Sequence, residues 1–187
     1  IADLIDAVQR THNIDPARIY ANGLSNGGGL SSLLSCTMAD RIAAVGLVAA
    51  AHLFPPRLCR DLRPVPMIAF HGTDDDDTPY RGGRSGKAWI LPMPFPSIPG
   101  ITAAWARRNE CAPTPIESRV ADDVTKLEYA ECVSNAPAIL YTIHGGGHTW
   151  PGGDPDYLPE WFVGKTTQTI DASSLMWDFF KQHPLTK

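Results

Sequence analysis

The stretch Ile19-Tyr20-Ala21-Asn22-Gly23-Leu24-Ser25-Asn26-Gly27-Gly28 decides how this chain folds. It begins as a short apolar run, which is typical of the end of a buried strand. Apolar side chains then recur at helical spacing, at Leu30, Leu33, Leu34 and Met38. The pattern predicts a strand, a tight corner and a helix, with Ser25 held in a strained turn at the corner. Gly23 and Gly27 are expected to be glycines because side chains there would collide with the neighbouring backbone.

Ser25 is a candidate nucleophile because of where this corner places it. The helix that follows presents unpaired backbone N–H groups and the positive end of its dipole to the serine oxygen. The backbone N–H of Asn26 is thus a candidate donor to an oxyanion. A Gly-x-Ser-x-Gly pattern also arises by chance, and a serine is inert unless a histidine takes its proton and a carboxylate orients that histidine.

Two more apolar runs are followed by loops that contain such partners. Residues 65–70 precede His71-Gly72-Thr73 and the run of aspartates at 74–77, and residues 138–143 precede a glycine-rich loop with His144 and His148. In α/β-hydrolases the nucleophile, the acid and the histidine follow in this chain order, each on a loop after a core strand. The order and the placement both fit such a site.

Several stretches of the chain match one group of esterases. They are residues 15–28, 43–49, 64–66, 71–73, 79–80 and 82–83, together with the histidine loop that ends in Trp150-Pro151-Gly152-Gly153. On these stretches, which run through nearly the whole chain, the protein resembles the polyhydroxybutyrate depolymerase-like esterases of the α/β-hydrolase superfamily. That group also contains the feruloyl and acetylxylan esterases of carbohydrate esterase family 1.

The resemblance implies Ser25 as the nucleophile and His148 as the base. For the acid, the family pattern is His-Gly-Thr, any residue and then Asp, with Pro-Tyr four residues after that Asp, which selects Asp75. Asp74 and Asp77 stay open as alternatives because adjacent carboxylates in a turn point in different directions. The aspartates also fit a solvated loop or a calcium site, but their run lacks the alternating ligand spacing of an EF-hand.

The other histidines near these loops are predicted to be structural. His71 follows a strand directly, which favours a satisfied hydrogen-bonding role over a chemical one. His144 is predicted to end its strand as a structural or pocket-lining residue. The three glycines between His144 and His148 argue against a helix, so this pair does not predict a metal site.

Aromatic side chains are candidates for the walls of a substrate pocket. Trp150, Tyr80 and Trp89 are predicted to contact an acyl group or a polymer chain, although a packed core position fits Trp150 almost equally well. Tyr157 and Trp161 likewise fit either a wall of the substrate pocket or a packed core position. No metal and no organic cofactor is implied.

The composition narrows the class of protein. A chain of 187 residues is long enough to bury a sizeable core, so residues 1–187 are predicted to form a single catalytic domain. A formal net charge of −4 gives no electrostatic reason to expect nucleic acid, and no polybasic run points to a membrane. No apolar stretch approaches the roughly 20 residues of a membrane-spanning helix. The proline-rich residues 91–99 are predicted to form an ordered surface loop or lid near the acid.

The four cysteines allow two disulfides in three connectivities. The resemblance implies that Cys111 pairs with Cys132, which leaves Cys36 with Cys59. Nothing in their spacing suggests zinc. Four reduced cysteines in a cytosolic enzyme are the alternative. Oxidised cysteines, which we favour, predict a secreted, extracellular protein whose signal peptide is not in this chain.

Alternating patterns of strand and helix predict an α/β fold with a mainly parallel sheet and flanking helices. The predicted helices cover residues 1–11, 26–38, 100–109 and 168–182, and the predicted strands cover 18–22, 43–49, 65–70, 124–130 and 138–143. The resemblance implies further strands before the nucleophile strand, with a second oxyanion donor among them, and we find neither. Strand 18–22 would then be an exposed apolar edge. We expect a fragment of a longer enzyme, a chain whose other half was not included, or a minimal enzyme that covers its edge as a homodimer.

Together these patterns predict a serine esterase that cleaves carboxylic esters through an acyl-enzyme, most like a polyhydroxybutyrate depolymerase. A feruloyl or acetylxylan esterase and another polyester hydrolase are alternatives with the same triad. A degenerate, non-catalytic hydrolase that binds esters or carbohydrates is the alternative without catalysis, and the missing oxyanion donor supports it. The expected partner is an ester substrate, either a polyester or a plant cell-wall ester.

Overall fold

The computed structural model of the chain describes residues 1–51, 63–86 and 94–185. The strands are β1 (Ala21–Leu24), β2 (Val45–Val48), β3 (Met67–Gly72), β4 (Ile116–Ala121), β5 (Val124–Tyr129) and β6 (Ala138–Ile143). The helices are α1 (Ala2–Thr11), α2 (Asn26–Thr37), α3 (Ile98–Arg108), α4 (Glu160–Val163) and α5 (Ala172–Gln182). Short 3-10 turns cover Pro16–Arg18 and Val133–Asn135.

The strands form one six-stranded sheet in the order β1-β2-β3-β6-β5-β4. β1, β2, β3 and β6 run parallel to one another, whereas β5 pairs antiparallel with β6 and β4 pairs antiparallel with β5. The predicted α/β fold with a mainly parallel sheet is therefore confirmed. β1 is an edge strand, so the strand that leads to Ser25 lies at one end of the sheet.

Helices cover both faces of the central strands, which is why β3 and β6 are buried along their whole length. On one face, Leu34 of α2 and Trp105 of α3 share a core cluster with Met67 of β3. On the opposite face, Met176 of α5 shares a second cluster with Phe70. This double burial fixes the register of the strands and therefore the places where their loops emerge.

Two predicted elements begin three or four residues too early, and a local cap explains each. The strand expected at 18–22 begins only at Ala21, because the Asp15 carboxylate accepts the Ala17 N–H at 2.9 Å and caps a 3-10 turn instead. The helix expected from 168 begins at Ala172, since the Asp171 carboxylate accepts the Ser174 N–H at 2.6 Å.

The sequence pattern predicts one strand where the structure has the hairpin of β4 and β5. The two strands are joined by a tight turn at Asp122-Asp123, with Ala121 paired to Val124. Ile116 on β4 is exposed, so burial does not enforce a clear alternation of apolar and polar side chains along this strand. The two-residue acidic turn is the signal that could have indicated the hairpin.

The predicted disulfide between Cys111 and Cys132 is confirmed. Cys59, the predicted partner of Cys36, lies outside the described residues, as do Trp89 and residues 91–93 of the proline-rich stretch. Every helix within the described ranges is too short or too polar to cross a bilayer.

Candidate active site

Ser25 lies at the corner between β1 and α2, where its backbone has φ 54° and ψ −119°. This is a sparsely populated region for any residue other than glycine, so the predicted strained turn is confirmed. The Ser25 N–H donates to the Val48 carbonyl at 2.9 Å, which ties the corner to the end of β2. Asn26 is the first residue of α2, and the first N–H groups of a helix have no partner within it.

Close approach of backbone to backbone explains two glycines at this corner. A Cβ on Gly23 would lie 2.4 Å from the carbonyl carbon of Gly27, and a Cβ on Gly28 would lie 2.8 Å from the carbonyl oxygen of Gly23. A Cβ on Gly27 would meet no atom within 4 Å. The predicted collision at Gly27 is therefore wrong, because β1 approaches the backbone of Gly27 and not the place where its side chain would be.

Asp75 and His148 meet beyond the carboxyl ends of β3 and β6. His148 Nδ1 lies 2.9 Å from Oδ2 and 3.1 Å from Oδ1 of Asp75. The Asp75 side chain is 0% exposed, and its Oδ1 also accepts the N–H groups of Asp77 at 2.9 Å and Thr78 at 2.7 Å. Of the aspartates that the sequence left open, Asp75 is thus the one whose two oxygens both face the His148 ring.

Hydrogen bonds of the backbone join the acid loop (residues 73–78), which follows β3, to the histidine loop (residues 144–153), which follows β6. The Thr73 N–H donates to the Ile143 carbonyl at 2.9 Å, and the Asp74 N–H donates to the Gly146 carbonyl at 2.9 Å. In the other direction, the Gly145 N–H donates to the Thr73 hydroxyl at 2.8 Å. A Cβ on Gly72 would lie 2.1 Å from the Gly146 carbonyl oxygen, so the two loops can come this close only with glycine there.

Burial by itself would raise the pKa of Asp75, but contacts with His148 and then with His71 outweigh it and lower the pKa from 3.8 to about 2. The carboxylate is therefore ionised at neutral pH. An ionised acid accepts the Nδ1–H of His148, which leaves Nε2 as the ring nitrogen that is able to take a proton.

Ser25 and His148 are not hydrogen-bonded to each other in the part of the chain that the structure describes; the ring contacts Asp75 through Nδ1. Both residues lie at the carboxyl edge of the sheet, with β2 and β3 between their strands. The loop after β6 reaches back toward β1, since Trp150 and Asn22 line one cavity of about 230 Å³. Catalytic hydrogen bonds are often long without ligand and tighten when substrate binds.

The predicted wall residues have structural contacts. The Trp150 indole N–H donates to the Ser173 hydroxyl at 3.1 Å, and its ring packs against the core cluster of α5. The Tyr80 hydroxyl lies 2.8 Å from the Thr142 hydroxyl on β6, and its ring packs against the opposite core cluster. Trp89 lies outside the described residues.

A second aromatic group beside His148 includes residues that the sequence pattern did not single out. A cavity of about 130 Å³ is lined by His148, three aspartates of the acid loop and residues 160–164 of α4 and its end. Trp161, within this segment, is 85% exposed. The His148 N–H donates to the Val163 carbonyl at 2.6 Å, so α4 is attached directly to the histidine loop. No sequence pattern predicts that Phe162 lies near the site, because α4 has only four residues and shows no periodic pattern.

The consecutive aspartates do not converge on one point. Asp75 faces His148, while Asp74 Oδ1 accepts the Thr73 hydroxyl at 3.0 Å. Within residues 1–51, 63–86 and 94–185, no group of three or more His, Cys, Asp or Glu side chains is arranged to hold a metal ion.

The chain is similar to proteins whose names describe esterases or a depolymerase. It is 35% identical over 138 residues to feruloyl esterase B of Piromyces equi, which covers 72% of this chain and 25% of that protein. It is 27% identical over 144 residues to feruloyl esterase D of Neurospora crassa, covering 76% and 43%. It is 26% identical over 169 residues to poly(3-hydroxyalkanoate) depolymerase C of Paucimonas lemoignei, covering 81% and 40%.

No family model matches the chain. The chain spans less than half the length of each of these three relatives. Their names confirm the resemblance to polyhydroxybutyrate depolymerase-like and feruloyl esterases that the motifs indicate, and this relation implies a fold of the α/β-hydrolase type.

Proposed function

We propose that this relative of feruloyl esterases and of a poly(3-hydroxyalkanoate) depolymerase is a serine esterase that hydrolyses carboxylic esters. In this proposal Ser25 is the nucleophile, His148 the general base and Asp75 the acid, all within one catalytic domain of residues 1–187. The observation that carries the proposal is the buried Asp75 carboxylate, whose Oδ2 lies 2.9 Å from Nδ1 of His148. The strained Ser25 corner at the same edge of the sheet supports it.

The first half of the reaction forms an acyl-enzyme. Nε2 of His148 takes the hydroxyl proton of Ser25 while Oγ attacks the carbonyl carbon of the ester. The carbonyl oxygen becomes an oxyanion, to which the Asn26 N–H donates. The C–O bond then breaks, and the alcohol leaves with the proton that His148 returns to its oxygen.

The second half regenerates the serine. Water enters, gives a proton to His148 Nε2 and attacks the carbonyl carbon of the acyl group on Ser25. The second oxyanion collapses, the bond to Oγ breaks, and the proton passes from His148 to Ser25. Throughout, Asp75 stays ionised and stabilises the imidazolium, which agrees with its pKa of about 2.

The surface next to His148 suggests where the substrate lies. The exposed Trp161 ring and the cavity of about 130 Å³ beside it offer an apolar contact for an aromatic acyl group or a polymer. We take a feruloyl ester as the first substrate to test, because two of the three relatives described above are feruloyl esterases. The disulfide between Cys111 and Cys132 supports an extracellular, oxidising location.

Turnover of short-chain p-nitrophenyl esters by wild type and Ser25→Ala tests the reaction class. We expect Ser25→Ala to lower kcat by a factor on the order of 10⁶, toward the rate of the uncatalysed reaction. Ser134→Ala is the matched control, because Ser134 is an exposed serine with a similar φ of 57° in the turn before β6. Equal rates for wild type and Ser25→Ala would contradict the proposal and favour a non-catalytic binding domain.

The substrate is then ranked with methyl ferulate, acetylated xylan and polyhydroxybutyrate under the same conditions. We expect the Ser25-dependent rate to be highest on methyl ferulate. A higher rate on polyhydroxybutyrate would identify a depolymerase instead, without changing the roles of the three side chains.

A further inference from the structure

Asp75 contacts a second histidine, His71, which lies within β3. The side chains of His71 and Asp75 are 1% and 0% exposed, so their contact is shielded from water. His71 Nε2 lies 2.8 Å from the Thr78 carbonyl oxygen and 3.2 Å from Oδ2 of Asp75. Nε2 of His71, a residue of the core strand β3, therefore contacts both Asp75 and Thr78 of the acid loop.

The Thr78 carbonyl determines where His71 carries a proton. A carbonyl oxygen only accepts hydrogen bonds, so Nε2 of His71 must be protonated to donate to it. The same N–H also faces the Asp75 carboxylate, as a close polar contact rather than a second linear hydrogen bond. Oδ2 of Asp75 is thus shared between His71 Nε2 at 3.2 Å and His148 Nδ1 at 2.9 Å.

Both oxygens of Asp75 face the His148 ring, but their other partners differ in kind. Oδ1 accepts the backbone N–H groups of Asp77 and Thr78, which are part of the loop itself. Oδ2 contacts two side chains, His148 from β6 and His71 from β3. Among the described residues, His71 is therefore what ties Oδ2 to the core of the sheet independently of His148.

We infer that His71 is a positioning residue, which fixes the acid loop and orients Asp75 Oδ2 toward His148. This inference rests on the proposed function, because the orientation matters for catalysis only if His148 acts as the base. His71 does not touch the reacting atoms. Its effect passes through Asp75, in the way that outer hydrogen-bond partners orient the residues that do the chemistry.

Two variants of His71 separate positioning from packing. His71→Leu keeps bulk but removes the N–H, whereas His71→Gln keeps an N–H near the position of Nε2. With p-nitrophenyl acetate, we expect His71→Leu to lower kcat about 10- to 100-fold with little change in KM, and His71→Gln to restore most of that loss. His183→Leu is the control, since His183 Nδ1 also lies close to a backbone carbonyl, 2.7 Å from Phe179, at the far end of α5.

Proton and ¹⁵N NMR of the histidine rings tests the inference without an activity assay. Part of the test uses the wild-type protein alone. In wild type we expect His71 to carry a proton on Nε2 and His148 to show a low-field Nδ1 proton bonded to Asp75. That low-field signal should shift in His71→Leu and return in His71→Gln.

A wild-type His71 protonated only at Nδ1 would overturn the inference, as would a folded His71→Leu with wild-type kcat and an unchanged His148 signal. If wild type shows no ester hydrolysis at all, the proposed function fails. The ring NMR then still decides whether His71 orients Asp75 toward His148, so the two failures are distinguishable.

Discussion

The two halves of the candidate site are held in opposite ways. The Asp75–His148 half is buried between two loops that bond to each other, and five polar contacts within 3.2 Å converge on one carboxylate. The Ser25 half lies at the edge of the sheet, on a single residue with φ 54° and ψ −119°. One half is stabilised by its own polar contacts, whereas the other is strained and is kept in place by the packing of β1 against α2.

This contrast indicates what each half contributes. A buried network that holds a carboxylate ionised should support stability and activity together. A strained nucleophile should support activity at some expense of stability. Substitutions in the two halves are therefore expected to change the free energy of unfolding in opposite directions while both reduce catalysis.

Within the Asp75–His148 half, the largest effect is expected from Asp75→Asn, which removes the charge at its centre. The amide has nearly the same shape, but it does not stabilise the imidazolium or hold His148 in the required tautomer. We expect kcat to fall by a factor on the order of 10⁴. Steady-state kinetics with p-nitrophenyl acetate measures this, and circular dichroism checks that the variant is folded. A kcat within tenfold of wild type, which corresponds to a rise in the activation free energy of less than about 1.4 kcal/mol, would show that Asp75 is not the acid of the proposed mechanism.

A matched pair of glycine variants tests how tightly the two halves are packed. In Gly72→Ala the new Cβ would lie 2.1 Å from the Gly146 carbonyl oxygen, so the joined loops must separate. We expect the free energy of unfolding to fall by about 2–3 kcal/mol. In Gly27→Ala the Cβ meets no atom within 4 Å, and the gain in helix propensity is at most about 1 kcal/mol. Urea unfolding compares the two, and similar losses of stability in both would contradict the packing described here.

Acid titration tests the first half through the pKa of Asp75, because the free energy of unfolding depends on the charge of this carboxyl. Because that pKa is lowered from 3.8 to about 2 on folding, the native state binds fewer protons than the unfolded state between these values. The contribution to stability is complete above about pH 5 and is lost as the pH falls through 3.8 toward 2, by about 2 kcal/mol in total. Unfolding measured from pH 5 to pH 2 should therefore be steeper in wild type than in Asp75→Asn. Parallel curves would show that Asp75 is not held ionised by folding.

The smallest change in the free energy of unfolding is expected from Ser25→Gly, which relieves the strain of the second half. Glycine adopts the backbone conformation of Ser25 without penalty, so we expect the free energy of unfolding to rise by about 1 kcal/mol while activity is lost. The same change on a regular strand, Ser118→Gly of β4, should instead lower the free energy of unfolding by about 0.5–1 kcal/mol. Thermal unfolding of both variants measures the difference. A fall in stability for Ser25→Gly would show that the corner is not strained.

The parts of this molecule that follow from local sequence were predictable. The corner at Ser25 is set by glycines within a few residues of it, and Asp75 was selected by the pattern of the esterases that the chain resembles, in which Pro-Tyr comes four residues after the acid. The close contact of Asp75 with His71 needed the structure, because a histidine inside a strand has no pattern that names its partner. The same holds for Gly28, whose small size matters because Ala50 and Gly23 of β1 both approach α2 in space.

Prediction was poorest where burial does not enforce a pattern. β4 lies at the sheet edge, and its exposed Ile116 leaves no alternation to detect. The contact between α4 and the histidine loop depends on a hydrogen bond from His148 to Val163, which connects residues 15 apart without a motif. The sequence around Trp150 fits a core and a pocket position almost equally well, and only the structure shows that its indole N–H donates to the Ser173 hydroxyl.

If Ser25 is a nucleophile activated by His148 and Asp75, as we propose, a reagent that reacts with activated serines should label it. Wild type is treated with a fluorophosphonate at neutral pH, and the modified peptide is identified by mass spectrometry. We predict one phosphonyl group per chain, attached to Ser25, with labelling slowed strongly in His148→Ala. Absence of label from wild type, or label on another residue with Ser25 unmodified, would show that Ser25 is not an activated nucleophile.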